Sequence, residues 1–314
     1  MSIIIKSFGK YVPEKVLTND DLSKTLDTND AWIRERTGMV ERRIAADDEL
    51  ASDMACKAGL DAIEKAGLQK EDIDCLIIAT CSGDQPSPST ACIAQNKMGL
   101  NGIIAFDILG MCSGFLYSLQ VAESLVKTDV YKNILIIGVE KISQILDWTD
   151  RSTCILFGDG AGAAIVGKGD DGHELIGTYG GSDGKYSDLL EVRGRDSNHN
   201  SAVVQMKGKD LFKHAVRNLV QASKKVLEQE GFSEDEIDWI VPHQANMRIL
   251  QTTAKKFDVP MEKVFINLEK YGNTSAASIP LALEEGGEKF KKGDLILCPA
   301  FGGGLTWAAT LIRW

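Results

Sequence analysis

The chain carries one plan twice. Lys70-Glu71-Asp72-Ile73-Asp74-Cys75-Leu76-Ile77-Ile78-Ala79 is echoed by Glu234-Asp235-Glu236-Ile237-Asp238-Trp239-Ile240-Val241-Pro242-His243. Each copy follows an amphipathic stretch. Met54, Ala58, Ala62 and Ile63 share one helical face ahead of the first, and Phe212, Val216, Leu219, Ala222 and Val226 share one ahead of the second. Downstream, Ile134-Leu135-Ile136-Ile137 matches Leu295-Ile296-Leu297-Cys298, and both runs lead into glycine-rich sequence. Such a duplication restricts the chain to a repeated α/β architecture. Near-continuous apolar strands alternating with helices predict mostly parallel sheets covered by helices. With 314 residues there is room for two such halves, and the join is expected in Gly167-Lys168-Gly169-Asp170-Asp171-Gly172, dividing 1–168 from 169–314.

In folds of this class, ligands gather outside the carboxyl ends of the strands, where loops of both halves converge. Cys112 stands at such a place, between the apolar run ending Phe106-Asp107-Ile108-Leu109-Gly110 and the helical pattern beginning Ser113-Gly114-Phe115. A sulfur at a helix start lies among unpaired N–H groups at the positive end of the macrodipole, which predicts a favoured thiolate. At matching places in the second half stand His243, after the run Ile237–Val241, and Asn273, after Val264–Leu268. Each alone has an ordinary reading: a buried thiol, a satisfied core histidine, a turn asparagine.

Charge and cysteine usage narrow the classes further. The formal net charge of −10 argues against nucleic acid as a general partner. No apolar run approaches a membrane span, and the charge at Lys6 interrupts what would be a signal peptide, so a cytoplasmic protein is expected. Seven scattered cysteines without a CxxC pair suit reduced thiols, and four histidines without ligand spacing give no metal site. A nucleotide loop at Phe157-Gly158-Asp159-Gly160-Ala161-Gly162 is disfavoured because strand-like Ala164-Ile165-Val166 follows where a helix should open.

Four motifs, Asp107-Ile108 through Cys112-Ser113-Gly114, Pro242-His243-Gln244-Ala245-Asn246, Gly272-Asn273-Thr274-Ser275 and Phe301-Gly302-Gly303-Gly304-Leu305-Thr306-Trp307, together resemble β-ketoacyl-acyl-carrier-protein synthase III. The resemblance runs from the first strand to Trp314. It implies a thiolase-like fold of duplicated half-domains, five layers deep, with helices between and around two mixed, mostly parallel sheets. It also implies a decarboxylative condensation of acyl-CoA with malonyl-acyl-carrier protein. Cys112 would carry the acyl group, His243 and Asn273 would steady the enolate, and the N–H groups of Cys112 and Gly304 would form an oxyanion hole. Chain-extending synthases resemble a Cys-His-His pattern that Asn273 breaks, thiolases carry a second catalytic cysteine where Cys298 looks structural, and cysteine proteases have different flanking sequence. A secondary-metabolite condensing enzyme and a non-catalytic acyl-CoA-binding paralogue stand as alternatives.

The same resemblance assigns CoA contacts to Trp32, Arg36, Thr37, Arg151, Gly208, Phe212, Ala245 and Asn246, with arginine and indole planes suited to the base. It assigns carrier-protein contacts to Gln244, Ala245, Asn246, Met247 and Arg248, with Lys213, Lys255 and Lys256 as further cations. A homodimer is implied, in which Ser87 of the partner copy borders the acyl pocket. Many members have a bulkier residue there, so a roomier pocket and longer primers are expected. CoA enters as a thioester substrate, and no permanently bound cofactor is expected. Arg193-Gly194-Arg195-Asp196-Ser197-Asn198-His199-Asn200 has no clear counterpart and reads as an exposed loop.

Overall fold

The computed structural model describes residues 1–193 and 203–314. From the N-terminus the chain forms β1 (Ser2–Tyr11), β2 (Lys15–Thr18), α1 (Asn19–Ser23), α2 (Asp30–Thr37), β3 (Glu41–Ile44), α3 (Ala51–Lys65), β4 (Cys75–Ala79), α4 (Thr90–Met98), β5 (Ile104–Ile108), α5 (Gly114–Lys127), β6 (Asn133–Glu140) and β7 (Gly160–Gly169). It continues through β8 (His173–Ser182), β9 (Leu190–Arg193), β10 (Val203–Met206), α6 (Gly208–Glu230), β11 (Trp239–Ile240), α7 (Met247–Lys256), α8 (Leu268–Tyr271), α9 (Ser278–Gly286), β12 (Leu295–Gly302) and β13 (Thr306–Arg313). Of the expected loop Arg193–Asn200, Arg193 closes β9 and the remainder lies outside the described residues.

The internal repeat is visible in hydrogen bonds. The turn Lys70–Asp72 is closed by Asp72 Oδ2 accepting from Gln69 N–H at 2.8 Å, and the turn Glu234–Glu236 by Glu236 Oε2 accepting from Ser233 N–H at 2.8 Å. Two residues beyond each turn an aspartate clasps the start of the neighbouring strand. Asp74 N–H donates to Asn133 O at 3.0 Å while Asp74 Oδ2 accepts from Asn133 N–H at 3.0 Å; Asp238 and Leu295 repeat this at 3.0 and 2.9 Å. In consequence β4 and β6 run parallel in the same manner as β11 and β12.

The expectation of mostly parallel sheets needs correction. The main sheet has nine strands in the order β11-β12-β13-β8-β1-β7-β6-β4-β5, and only β11–β12, β6–β4 and β4–β5 pair in parallel. The short β12–β13 connection leaves no room for a crossover, so that pair reverses direction, and β1 is inserted between β7 and β8, antiparallel to both. What was expected as two sheets is one hydrogen-bonded ladder, because β1 pairs with β8 at Ile4–Glu174 and Ile5–His173.

The layering is the five-layer one. α3 and α4 cover one face with Met54, Ala58, Ala62, Ala91 and Ala94, and α6 and α7 cover the other with Ala222, Val226 and Ala254. Between them α5 and α9 form a central layer in which Phe115, Leu116, Leu119 and Ile279, Leu283 pack on strands of both flanks. This explains the unbroken apolar runs. Along β12, Ile296, Cys298 and Ala300 face the central helices, whereas Leu295 and Leu297 face α6. Each such fully buried Leu or Ile contributes about 1.5–3 kcal/mol. The amphipathic stripe of α6 departs from expectation at its start: Leu219, Ala222 and Val226 are buried, but Phe212 and Val216 are only half-buried.

Candidate active site

The nucleophile loop is tightly built. Beyond β5 the backbone turns through Met111, whose φ of 48° is left-handed, into a 3-10 turn carrying Cys112 and then into α5. A non-glycine residue holds that conformation only when its surroundings enforce it. Gly302, at the end of β12, supplies part of the enforcement: a Cβ there would lie 2.7 Å from Cys112 N. The glycine-rich turn is tied to the same loop by Thr306, whose hydroxyl lies 3.1 Å from Gly110 O.

Asn273 and His243 arrive from the opposite side. Asn273 N–H donates to Leu156 O at 2.8 Å and Gly158 N–H donates to Asn273 O at 3.1 Å, stitching this segment to Phe157. Ser275 N–H, which can only donate, meets Asn273 Oδ1 at 2.8 Å. The amide oxygen is thereby occupied, and the NH₂ group is left as the free end. The backbone N–H of His243 is held by Pro299 O at 2.9 Å, and its ring Nδ1 lies 2.6 Å from Ser278 Oγ. Burial lowers the His243 pKa to about 3, so the imidazole is neutral at physiological pH.

Cys112, His243 and Asn273 open on a single cavity of about 500 Å³. Phe157, Leu190 and Phe301 give it apolar walls. At its outer end Trp32 is flanked by Arg36 and Arg151, whose guanidinium carbons stand 5.3 and 5.1 Å from the ring centre. Thr37, Gly208, Phe212, Ala245, Asn246 and Arg248 also border it. Three of these have side chains already engaged, Arg248 in an ion pair with Glu35 at 3.9 Å. Thr37 donates its hydroxyl to Ile33 O at 2.7 Å, and Asn246 caps α7 by accepting from Arg248 N–H at 2.9 Å.

Other residues singled out from the sequence fall outside this cavity. Gln244 is 1% exposed and its side chain bonds Pro242 O, Phe265 O and Asn267 N–H, so it braces the His243 loop and offers nothing to a partner surface. Gly304 sits in the turn between β12 and β13 and does not border the cavity, and Phe301 is the residue of that motif which lines it. Met247 is half-buried against α2, whereas Lys213, Lys255 and Lys256 are exposed. Ser87 is exposed and does not reach the cavity of its own chain. The Asp159 carboxylate, suspected in a nucleotide loop, instead accepts from Ala45 N–H and Ser143 N–H at 2.8 and 2.9 Å as β7 begins.

The expected thiolate is also corrected. Burial pushes the Cys112 thiol up to about 12, Glu140 pushes it the same way and Ser275 opposes them, and the rise outweighs the helix-start advantage. The resting sulfur is a thiol. Glu140 is fully buried beneath the loop, accepting from Ser82 Oγ at 2.5 Å and Cys81 N–H at 3.0 Å, and burial raises its pKa. Sequence reasoning passed over Glu140, Ser275 and Ser278. A carboxylate closing the apolar run Ile134–Val139 was the available signal for the first; the serines had none beyond their nearness to Asn273.

Two sequence profiles of known families match the chain. That of the 3-oxoacyl-[acyl-carrier-protein] synthase III C-terminal region covers residues 227–314, and that of 3-oxoacyl-[acyl-carrier-protein] synthase III covers residues 106–184. A β-ketoacyl-[acyl-carrier-protein] synthase III of Aquifex aeolicus is 47% identical, over 98% of this chain and 97% of its own length. The chain belongs to the 3-oxoacyl-[acyl-carrier-protein] synthase III family. Members of known structure superpose along its whole length. The crystal structure from Aquifex aeolicus VF5 gives a TM-score of 0.94 at 46% identity, covering 99% of this chain and all of that one. The Pseudomonas aeruginosa PAO1 structure gives 0.95 at 39% identity, covering 100% and 98%. The fold is therefore thiolase-like.

Proposed function

We propose that the chain is an acyltransferase that condenses a primer acyl-CoA with malonyl-acyl-carrier protein, releasing carbon dioxide and CoA and starting fatty-acid synthesis. The observation that carries this reading is the shared cavity: a sulfur at a helix start faces two neutral donors, and a Trp–Arg mouth of the right chemistry for an adenine lies at the other end.

In the first half-reaction the Cys112 sulfur attacks the acyl-CoA carbonyl, the thiol proton leaves with CoA, and an acyl-Cys112 thioester remains. The N–H groups of Cys112 and Gly304 receive the tetrahedral oxyanion. Because burial holds the resting sulfur as a thiol, its proton passes to the departing CoA sulfur as the thioester forms, while His243, with Nδ1 on Ser278, stays a neutral donor. In the second half-reaction the C–C bond of the malonyl group breaks, carbon dioxide departs, and the electron pair becomes an enolate whose oxygen takes hydrogen bonds from His243 and from Asn273 Nδ2. The enolate carbon attacks acyl-Cys112, and the sulfur leaves and regains a proton.

Trp32, Arg36 and Arg151 hold the nucleotide of CoA, while Gly208, Phe212, Ala245 and Asn246 border the pantetheine path. An open groove of about 660 Å³ on α6, lined by Lys213, Arg217, Lys224, Lys225 and Lys256, gathers cations on a chain of net charge −10. An acidic carrier protein docks along this face. The chain acts as a cytoplasmic homodimer, with halves 1–168 and 169–314 and with Ser87 of one copy bordering the acyl pocket of the other. Among the described residues no helix is long and apolar enough to cross a membrane. Turnover of malonyl-acyl-carrier protein across a panel of acyl-CoAs, with Cys112→Ala as control, tests the reading. Product must form with the native chain and vanish in the variant; equal turnover by both overturns it.

A further inference from the structure

Ser278 stands on the first turn of α9 and is 2% exposed. Its oxygen accepts from Gln244 N–H at 3.4 Å and lies 2.6 Å from His243 Nδ1. Two proton arrangements are open to the shorter contact. If Nδ1 carried the hydrogen, Ser278 Oγ would accept twice and its own hydroxyl hydrogen would have no acceptor among the described residues. A buried hydroxyl left in that state costs about 1–3 kcal/mol. If instead Ser278 donates to Nδ1, both groups are satisfied. The ring hydrogen then sits on Nε2, the nitrogen with no hydrogen-bond partner among the described residues.

We propose that Ser278 is a positioning residue that holds His243 as its Nε2–H tautomer and so makes it a donor toward the cavity. The inference rests on the condensing-enzyme reading given above. It also gives the stretch 273–278 a double task. Ser275 N–H turns the Asn273 amide so that its NH₂ is free, and Ser278 Oγ turns the His243 imidazole so that its N–H is free. One short segment thus sets the polarity of both enolate donors. Gly138 lets it do so at close range, since a Cβ there would lie 2.3 Å from Ala276 O. Loss of the Ser278 hydroxyl removes the bias between tautomers while leaving the His243 backbone on Pro299.

The test has a direct arm and a kinetic arm. In the native protein labelled with ¹⁵N-histidine, Nδ1 of His243 should resonate as an unprotonated nitrogen and Nε2 as a protonated one, with His243→Gln used to assign the signals. A protonated Nδ1 in the native protein overturns the proposal without recourse to any variant at Ser278. Ser278→Ala should shift His243 to a tautomer mixture and lower the condensation kcat by about tenfold to a hundredfold, the range seen when an orienting partner of a functional histidine is removed. KM for malonyl-acyl-carrier protein should change less than kcat, and Ser278→Thr, which keeps the hydroxyl, should recover both tautomer and rate. A Ser278→Ala protein with native tautomer and native kcat overturns the proposal. Absence of condensation by the native chain would instead remove the functional reading, and the nitrogen signals would still decide the role of Ser278.

Discussion

Gly302→Ala is the substitution that most sharply separates the nucleophile loop from the rest of the cavity. A Cβ at this position would stand 2.7 Å from Cys112 N, 3.1 Å from Met111 Cβ and 3.2 Å from Cys112 Cβ. The first contact is about 0.7 Å inside ordinary van der Waals distance, and neither partner is the free end of a side chain. Met111 already holds a left-handed φ, so the loop has little slack. The strain of such overpacking costs about 1–3 kcal/mol, which a domain of this size tolerates. Relief comes by moving Cys112 and its N–H. A displacement approaching 1 Å at a reacting atom lowers rate by about a hundredfold, and loss of an oxyanion donor does so by about 10²–10³. We expect acyl-Cys112 formation, followed by rapid quench after mixing with acetyl-CoA, to fall about a hundredfold. CoA affinity, measured by calorimetry, should stay within about threefold because Trp32, Arg36 and Arg151 are untouched. A folded Gly302→Ala protein that acylates at the native rate would refute the reasoning.

Asn273→Asp keeps an acceptor for Ser275 N–H but replaces the free NH₂ by a charged oxygen facing a developing enolate; condensation should fall at least about a hundredfold, measured as carbon dioxide release, with acylation of Cys112 less affected. Lys213→Glu with Lys256→Glu should raise KM for malonyl-acyl-carrier protein about tenfold and leave KM for acyl-CoA unchanged, read from initial rates at two ionic strengths; an unchanged KM for the carrier protein would move the docking face elsewhere. Burial holds His243 at a pKa of about 3 against its ordinary 6.5, so between those values the unfolded chain binds a proton that the native one refuses, and stability falls as pH drops through that window. The loss is about 2 kcal/mol at pH 5 relative to pH 7. His243→Gln should remove that share of the pH dependence in urea denaturation; an unchanged slope would mean the imidazole is already charged in the fold.

Much of this arrangement is legible in residues alone, and the reasons differ by element. The repeat around Asp74 and Asp238 is readable because each aspartate performs the same local task, clasping the first residue of a neighbouring strand. Direction of pairing is not readable, because a buried antiparallel strand such as β7 needs the same apolar alternation on both faces as a buried parallel one. Cys112, His243 and Asn273 stand out because they end strand runs and carry reactive or donating groups. The inward turn of Gln244 is illegible for a related reason: adjacency to His243 in sequence says nothing about which way a side chain turns. The charge state of Cys112 is not legible because its burial depends on residues distant in sequence, such as Gly302, whereas the helix-start effect is local. Ser278 and Glu140 needed coordinates, since their partners lie 35 and 58 residues away.

The central claim is that Cys112 carries the acyl group between two substrates. Intact-protein mass spectrometry after mixing with acetyl-CoA alone should show one acetyl group per chain, located on Cys112 by peptide mapping and absent from Cys112→Ala. Adding malonyl-acyl-carrier protein should discharge it as β-ketoacyl-acyl-carrier protein appears. No adduct on Cys112, or one that persists unchanged in the presence of malonyl-acyl-carrier protein, would contradict the account.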